Sequence, residues 1–356
     1  MKLYIGCYTE KLSEELDGKG RGIYVLDFDT STGTIKYVDC IEATNPSYLA
    51  ISNDGKYLFA IEESPIENAP KICSYGINMS PEGKHLELIN SCPLPGSYAC
   101  HLALSKSGYH LIVGVYMSGN VLVYPVTTTG QIQAHIHNVV HKGSGPNKMR
   151  QEAPHVHFIC PDDEGQFYAV DLGIDMVKSY RFTHDSIVEQ QEKHMKVDPG
   201  AGPRHMVISP SGNYAFVFSE LDAKIYSFKK VDGKFEPLAS MLTLPAHFKD
   251  VPSAAAIRMH PNGRFIYVSN RTFNGITIIH FDENDEKMSL IGDVPTGGKT
   301  PRDMNIDPDG NWLICANQDS DNLVVFSINQ ESGELSQISV NEEVKTPSCV
   351  LFRKEE

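Results

Sequence analysis

The sequence lacks the features that direct a chain to a membrane, to disulfide bonding or to nucleic acid. No apolar run approaches the roughly 18 residues of a spanning helix. The eight cysteines lie far apart without a CxxC pair, which is typical of reduced thiols packed as small apolar groups. Only 31 Lys and Arg stand against 45 Asp and Glu, so the formal net charge of −14 repels phosphate backbones and acidic lipids. We therefore expect neither a nucleic-acid nor a membrane partner.

The start of the chain also lacks the continuous apolar stretch of a signal peptide. Residues 1–9 (MKLYIGCYT) are interrupted by Gly6 and have the pattern of a strand. Together with the unpaired cysteines, this indicates a cytoplasmic protein.

What the sequence does contain is a unit that recurs about every 51 residues. Each copy has a short apolar strand, a polar turn ending in glycine, a second apolar strand and a third strand rich in Val, Ile, Tyr and Phe. In the fourth copy (residues 159–173), we infer that two extra residues precede the glycine. The turn glycines are Gly55, Gly108, Gly165, Gly212, Gly263 and Gly310.

Short strands in units of this length, with almost no helical periodicity, predict an all-β, seven-bladed β-propeller. The seventh unit is split between the two ends of the chain. Residues 347–352 (PSCVLF) supply its first strand, and residues 3–8, 22–28 and 34–41 supply the other three. The ring is thus expected to close by pairing of the N- and C-terminal strands in one blade, as a single domain over residues 1–356. A β-helix is disfavoured because its repeats are shorter.

The repeat indicates which residues line the central channel. The position eight before the turn glycine opens each innermost strand, and a second position follows the glycine by seven or eight residues. The first set is Ser47, Cys100, Arg204, Ala255 and Arg302, with His155 taken as equivalent in the fourth unit and Ser348 in the last. The second set is Glu62, Glu63, Val115, Tyr116, Ser219, Glu220, Asn270, Arg271, Asn317 and Gln318, with Asp171 nearby in the fourth unit.

Charged and amide residues of both sets concentrate on units four to seven, which predicts a ligand site at one part of the channel mouth. The alternative is a group of ion pairs that closes the channel. The candidates are His155, Asp171, Arg204, Glu220, Asn270, Arg271, Arg302, Asn317 and Gln318.

His155 and His157 lie two apart on a strand and could form half of a zinc site. Because no carboxylate or thiolate accompanies them at metal-ligand spacing, we predict no metal and no other cofactor. We favour an acid/base role for His155 and a buried, hydrogen-bonded His157. We expect His101 and His205 to point to other faces and to be satisfied packing residues.

A basic insertion precedes the histidine strand at residues 141–153 (HKGSGPNKMRQEA). It is long enough to overhang a pocket. Two interpretations stay open, a solvated loop or a loop whose Lys148 or Arg150 contacts an anion.

Several segments together resemble the seven-bladed propeller type of 6-phosphogluconolactonase, in the lactonase family that includes the carboxymuconate lactonizing enzyme. They are PHVHF (154–158), GAGPRHMVISP (200–210), SEL (219–221), YVSNR (267–271) and ANQDSDNLVVF (316–326). The resemblance covers essentially the whole chain. Two features depart from it: the basic insertion occurs in only part of the family, and Ser219 replaces the more usual asparagine before Glu220.

The resemblance implies that the catalytic residues are His155, Arg204, Glu220 and Arg271. Six further channel residues are expected to bind substrate: His157, Asp171, Asn270, Arg302, Asn317 and Gln318. It implies hydrolysis of a small anionic sugar lactone, 6-phospho-D-glucono-1,5-lactone, to 6-phosphogluconate in the pentose phosphate pathway. Glu220 or His155 would be the general base, and Arg204 and Arg271 would hold the oxyanion or the phosphate. Two alternatives are a lactonizing isomerase acting on a muconate-type diacid, and a non-catalytic propeller of the WD-repeat kind. The latter is disfavoured because Trp312 is the single tryptophan.

Overall fold

The computed structural model describes residues 1–14, 16–78, 84–183 and 186–353, and antiparallel strands dominate it. Three short 3₁₀ helices are present in the described residues, at Ile66–Asn68, Leu172–Ile174 and Gln191–Lys193. None of the described helices is long and apolar enough to cross a membrane. The strands in chain order are β1 (Lys2–Cys7), β2 (Gly22–Asp29), β3 (Thr34–Glu42), β4 (Leu49–Ile51), β5 (Tyr57–Ile61), β6 (Lys71–Ile77), β7 (Leu86–Pro93), β8 (Ala99–Leu104), β9 (His110–Val115), β10 (Asn120–Pro125), β11 (His137–Val140), β12 (Val156–Pro161), β13 (Gln166–Asp171), β14 (Met176–Phe182), β15 (Ile187–Glu189), β16 (Met195–Lys196), β17 (Pro203–Ile208), β18 (Tyr214–Ser219), β19 (Lys224–Val231), β20 (Lys234–Leu242), β21 (Ala254–Met259), β22 (Phe265–Asn270), β23 (Gly275–Asp282), β24 (Lys287–Pro295), β25 (Pro301–Ile306), β26 (Trp312–Asn317), β27 (Asn322–Ile328), β28 (Leu335–Asn341) and β29 (Pro347–Arg353).

These strands form seven sheets, which are the blades of a β-propeller. Blade 1 has the order β29-β1-β2-β3, and blades 2, 3, 5, 6 and 7 are the four-strand meanders that start at β4, β8, β17, β21 and β25. Blade 4 has the order β12-β13-β14-β15, and the short strand β16 also pairs with β14. The predicted seven-bladed, all-β fold is confirmed.

The two ends of the chain meet in blade 1, where β29 is the innermost strand and pairs antiparallel with β1. Val350 lies opposite Ile5 and Phe352 opposite Leu3. The innermost strands of successive blades also contact one another around the whole ring, including β25 with β29 and β29 with β4. The predicted split of the seventh unit is therefore correct.

The burial of each strand follows its place in the blade. The second strand is almost fully buried, as in β22, because both of its faces pack against neighbouring blades. The outermost strand is mostly exposed or half-buried instead, as in β28, because it lies at the edge of the blade and meets solvent. Apolar clusters consequently fill the gaps between blades, for example Ile5 and Leu26 of blade 1 against Ile314 and Val325 of blade 7.

The recurrent glycine has a conformational cause. In the turn between β17 and β18, Gly212 has a φ of +73° and its N–H donates to the Ser209 carbonyl at 2.8 Å. A side chain is disfavoured in this left-handed region, so the turn selects glycine. Gly310 repeats the conformation at +76°, and a Cβ there would lie 2.5 Å from Nε2 of His260.

Candidate active site

A β-bulge at the start of the innermost strand determines which side chains enter the channel. In blade 5, Pro203 pairs with Ser219 and His205 pairs with Phe218, so Arg204 is the extra residue. Equivalent shifts occur in blades 1, 3, 4, 6 and 7. We call the resulting circle of channel residues the lower ring: Ser47, Cys100, His157, Arg204, Ala255, Arg302 and Ser348.

His157, not His155, is the blade 4 member of this ring. Val156 pairs with Asp171 and Phe158 with Val170, which leaves His157 as the bulged residue. His157 lies eight residues before Gly165, as Arg204 lies eight before Gly212. The assumption of two extra residues in the fourth unit was therefore wrong, because its β-hairpin is shortened after the glycine and not lengthened before it.

A second circle of side chains lies above the lower ring, where the second strand of each blade ends. We call it the upper ring: Tyr8, Glu63, Tyr116, Leu172, Glu220, Arg271 and Gln318. Successive residues on a strand point to opposite faces, so the residue just before each of these points away from the channel.

Glu220 is the centre of the charged cluster in these rings. Its Oε2 accepts hydrogen bonds from Nε of Arg204 at 3.0 Å and lies 2.9 Å from Nη2 of Arg271. Its Oε1 accepts a hydrogen bond from Nη2 of Arg150 at 2.6 Å. The Glu220 side chain is only 4% exposed. The structure thus brings together three of the four predicted catalytic residues and adds Arg150.

The charges of this cluster fix the protonation of its members. Burial by itself raises the pKa of Glu220, but the guanidinium groups of Arg271, Arg150 and Arg204 outweigh it and hold that pKa well below its ordinary value. Burial and then Arg271 lower the pKa of Arg204 to about 10, which still leaves it cationic at neutral pH. Burial, followed by Arg204, lowers the pKa of His157 well below its ordinary value. Glu220 is therefore a firmly ionised carboxylate and His157 a neutral imidazole.

The basic insertion is a folded loop that delivers Arg150 to the site. Gln151 is fully buried beside it, and its Nε2 donates to Oδ1 of Asp175 at 2.6 Å and to the Leu172 carbonyl at 2.9 Å. The backbone N–H of Gln151 donates to the Asn147 carbonyl at 2.7 Å. Arg150 of this loop binds the Glu220 carboxylate, so the loop is not merely solvated, while Lys148 is exposed. Contact of Arg150 with a bound anion stays a prediction.

His155 lies behind the mouth and not in its opening. Its imidazole stacks on the ring of Tyr116 at 4.5 Å between centroids. Nδ1 lies 3.0 Å from the Tyr116 carbonyl oxygen and Nε2 lies 3.1 Å from Oε1 of Glu152. His155 therefore supports Tyr116 and the loop that carries Glu152.

Asp171, Asn270 and Asn317 were expected to bind substrate, but the structure turns them away from the channel. Asp171 accepts hydrogen bonds from the N–H groups of His155 at 2.7 Å and Gly173 at 3.0 Å, and its other oxygen lies 2.6 Å from Nδ1 of His141. Asn270 Oδ1 accepts from the N–H of Phe273 at 3.0 Å. These contacts hold the loops of the mouth.

Asn317 has the same structural role in blade 7. Its Nδ2 donates to the Thr296 carbonyl and to Oδ1 of Asn322, both at 3.0 Å. Asp171, Asn270 and Asn317 face away from the channel because each directly precedes an upper-ring residue and so lies on the opposite face of the strand. Gln318 follows Asn317 and does face the mouth, where its Oε1 lies 3.3 Å from Nη1 of Arg302.

A cavity of about 610 Å³ opens at this end of the channel. Five upper-ring residues and one lower-ring residue line it with polar or charged groups suited to bind an oxygen-rich ligand: Tyr8, Glu63, Tyr116, Arg271, Gln318 and Arg302. Tyr98 adds a further phenol group to the wall. Tyr8, Glu63, Tyr98 and Tyr116 were not among the predicted site residues, although the offset of eight from the turn glycine had placed Glu63 and Tyr116 on the second ring. Arg150 was named only in one of the two interpretations of the loop.

An aromatic stack fills the channel below the lower ring. The rings of His101 and Phe158 are 3.9 Å apart, those of His101 and Tyr48 are 4.1 Å apart, and those of Phe158 and His205 are 4.5 Å apart. His101 and His205 thus point into the channel and not to another face, because the bulge rotates the residue that follows it. Both are buried and pack against aromatic rings, as predicted. His157 is buried as predicted, but its Nδ1 has no hydrogen-bond partner among the residues that the structure describes.

Within the described ranges, no group of three or more His, Cys, Asp or Glu side chains has a geometry suited to a metal ion. The histidine pair of the sequence is split, with His157 in the lower ring and His155 behind Tyr116.

Comparison with known proteins places this chain in a family. A family model described as Lactonase, 7-bladed beta-propeller matches residues 2–352. The chain belongs to this lactonase family. It is therefore a lactone-hydrolysing enzyme of the carboxylic ester hydrolase class.

Similar proteins from three bacteria span nearly the full length. A 6-phosphogluconolactonase of Bacillus subtilis is 30% identical over 98% of this chain and 97% of its own. One of Formosa agariphila is 32% identical over 91% of each chain. The solved periplasmic gluconolactonase PpgL of Pseudomonas aeruginosa superposes with a TM-score of 0.91 at 27% identity and covers 99% of both chains. The names of these three relatives differ in whether the lactone carries phosphate.

Proposed function

We propose that this lactonase hydrolyses a sugar δ-lactone, specifically 6-phospho-D-glucono-1,5-lactone to 6-phosphogluconate, the lactone hydrolysis of the oxidative pentose phosphate pathway. The observation that carries the proposal is the arginine-rich mouth. The charged residues of the two rings are Arg204, Arg271 and Arg302 against Glu63 and Glu220, and Arg150 of the loop joins this cluster. In a chain of net charge −14, this concentration of four arginines favours an anionic ligand at this place.

The size and lining of the cavity also support a sugar acid derivative. About 610 Å³ lies within the usual range for small-molecule sites. Arg271 and Arg302 line it and can engage a phosphate or an oxyanion through fork-like N–H groups. Tyr98, Tyr116 and Gln318 provide hydrogen-bonding groups for sugar hydroxyls.

In the proposed reaction, water attacks the lactone carbonyl carbon and the ring C–O bond then breaks. The negative charge that develops on the carbonyl oxygen needs fixed donors. Arg271 supplies them from the cavity wall, and Arg204 and Glu220 hold its guanidinium in place from beneath. His155 keeps Tyr116 in position by stacking behind it. His157 is a neutral imidazole beneath the cluster and can accept a hydrogen bond there.

The assay that tests this proposal follows both 6-phosphogluconolactone and unphosphorylated glucono-δ-lactone above their spontaneous rates. Arg271→Gln is expected to lower kcat/KM by about 100-fold or more while circular dichroism stays unchanged. Arg264→Gln in the same blade is the control, because Arg264 is exposed at the far turn. A wild-type protein that accelerates neither lactone contradicts the proposal, and one that prefers a muconate-type diacid supports a lactonizing isomerase instead. Repeating the assay with a chelator tests whether the reaction needs a divalent ion.

A further inference from the structure

The upper ring contains two carboxylates in equivalent positions. Glu63 follows Gly55 by eight residues, and Glu220 follows Gly212 by the same offset. Blades 2 and 5 thus present the same side chain at the same height in the channel. Their surroundings differ, however, and the difference bears on which group can take a proton from water.

Glu220 is poorly placed to accept a proton. Both of its oxygens are engaged by the guanidinium groups of Arg150, Arg204 and Arg271. Protonation would leave three cationic side chains facing one neutral acid. The role of Glu220 is therefore to hold these three arginines in place.

Two other side chains near the cavity, His155 and Asp319, are also poorly placed to accept a proton from water. Both imidazole nitrogens of His155 have partners, the Tyr116 carbonyl and the Glu152 carboxylate. Asp319 lines the cavity, but it is exposed at the rim and its two oxygens accept from the Thr300 hydroxyl and the Gln318 amide.

Glu63 has the opposite environment. It lines the cavity, it is only 8% exposed, and its carboxylate has one hydrogen bond among the described residues, from the Tyr8 hydroxyl to Oε2 at 2.9 Å. No Lys, Arg or His nitrogen of those residues forms an ion pair with it. Its backbone is fixed from both sides, because its N–H donates to the Asn45 carbonyl at 3.1 Å and Asn45 Nδ2 donates back to its carbonyl at 3.2 Å.

We propose that Glu63 is the general base that activates the hydrolytic water. This assignment rests on the lactone hydrolysis proposed above. One water proton moves to Glu63 as the water oxygen bonds to the lactone carbonyl carbon, and the carbonyl oxygen becomes an oxyanion beside Arg271. When the ring C–O bond breaks, the ring oxygen takes the proton back from Glu63 and becomes a hydroxyl. The new carboxylic acid loses its own proton to solvent.

Tyr8 orients the base and does not compete with it. Burial raises the pKa of the Tyr8 phenol well above its ordinary value, so the hydroxyl keeps its proton and remains the donor to Glu63. The guanidinium of Arg302 lies 4.9 Å from the centre of the Tyr8 ring and fixes it from the side of blade 7. The free oxygen of Glu63 is thereby left for water.

Glu63→Gln tests the assignment, because glutamine can still accept the Tyr8 hydrogen bond but cannot take a proton at neutral pH. We expect kcat for lactone hydrolysis to fall by about 100- to 10,000-fold with little change in KM. Glu62→Gln is the matched control. Its carboxylate lies on the opposite face and accepts from the N–H of Lys71 at 2.9 Å, so its kcat should equal that of the wild type.

A second variant makes the test independent of the first. In Glu63→Ala, added formate should restore part of the lost kcat in a saturable manner, whereas formate should not affect Glu62→Ala. Wild-type kcat in a folded Glu63→Gln, or no formate rescue of Glu63→Ala, overturns the assignment and leaves the proposed function standing. A wild-type protein without lactonase activity overturns both.

Discussion

Nη2 of Arg150 lies 2.6 Å from Oε1 of Glu220, although 70 residues separate them in the sequence. The loop between blades 3 and 4 therefore completes a cluster whose other members belong to blades 5 and 6. Nη2 also donates to the Tyr116 hydroxyl at 3.2 Å, and the Arg150 side chain is still 42% exposed. Arg204 is 2% exposed in comparison. Of the three arginines on Glu220, Arg150 is thus the most accessible to an incoming anion.

Arg150→Gln should impair the phosphorylated lactone more than the unphosphorylated one. Loss of a charge-assisted hydrogen bond to phosphate costs about 1.5–3 kcal/mol, or roughly 10- to 150-fold in kcat/KM. The ratio of kcat/KM for the two lactones measures the effect. Lys148→Gln, on the same loop but exposed, should leave that ratio unchanged. An equal loss for both lactones in Arg150→Gln would show that Arg150 acts only through Glu220.

Glu220→Gln should destabilise the fold as well as the site. It removes the counter-charge of buried guanidinium groups, which costs about 3–5 kcal/mol of the free energy of unfolding. Because the pKa of Glu220 is lowered in the folded state, its stabilisation is present above the unfolded pKa of about 4.3 and fades as pH falls toward the folded value. Urea denaturation at pH 7 and pH 4 measures both effects. Glu164→Gln, which breaks an exposed pair with Lys230, should cost less than about 1 kcal/mol.

The channel histidines should make stability depend on pH. Burial lowers the pKa values of His101, His157 and His205 well below the ordinary value, and nearby arginines add to the effect. The folded protein then keeps them neutral, while the unfolded chain protonates them below about pH 6.5. The free energy of unfolding should therefore fall between pH 6.5 and 5, by up to about 1.4 kcal/mol per pH unit for each histidine.

Urea denaturation of wild type and His101→Gln across this pH range measures the contribution of one histidine. The variant should have the smaller slope, whatever its stability at neutral pH. Identical slopes would mean that His101 is not held neutral in the folded protein.

Deletion of residues 348–356 should sharply lower the melting temperature. It removes most of β29, which is the innermost strand of blade 1 and contacts the innermost strands of blades 2 and 7. Apolar side chains that pack on Val350 and Phe352, such as Leu3 and Ile5, would be exposed. Thermal unfolding followed by circular dichroism gives the result. An unchanged melting temperature would mean that the pairing of β1 with β29 does not hold the ring closed.

The sequence predicted the positions of the candidate site residues only as far as the repeat aligns one blade with the next. The offset of eight residues from the turn glycine correctly placed Arg204, Glu220, Arg271 and Arg302 at the channel, because each blade repeats the same hairpin. The prediction that His155 lines the channel was wrong, because it assumed two extra residues before Gly165 that the hairpin of the fourth unit does not contain. The offset could not decide whether Asn317 or Gln318 faces the channel. Successive residues of a strand point to opposite faces, so an error of one residue in the offset selects the wrong side chain.

The sequence by itself determined the seven-bladed propeller, its closure by the two ends of the chain and the blades that carry the charge. Periodic apolar strands and turn glycines are local signals, and they repeat often enough to be unambiguous. Only the tertiary structure decided which charges meet. The bulges rotate Arg204 and His157 into the channel, and a loop between two blades brings Arg150 to Glu220. Tyr8 supplies the one hydrogen bond that the Glu63 carboxylate has within the described part of the chain. Such contacts join residues that are distant in sequence, and no local pattern records them.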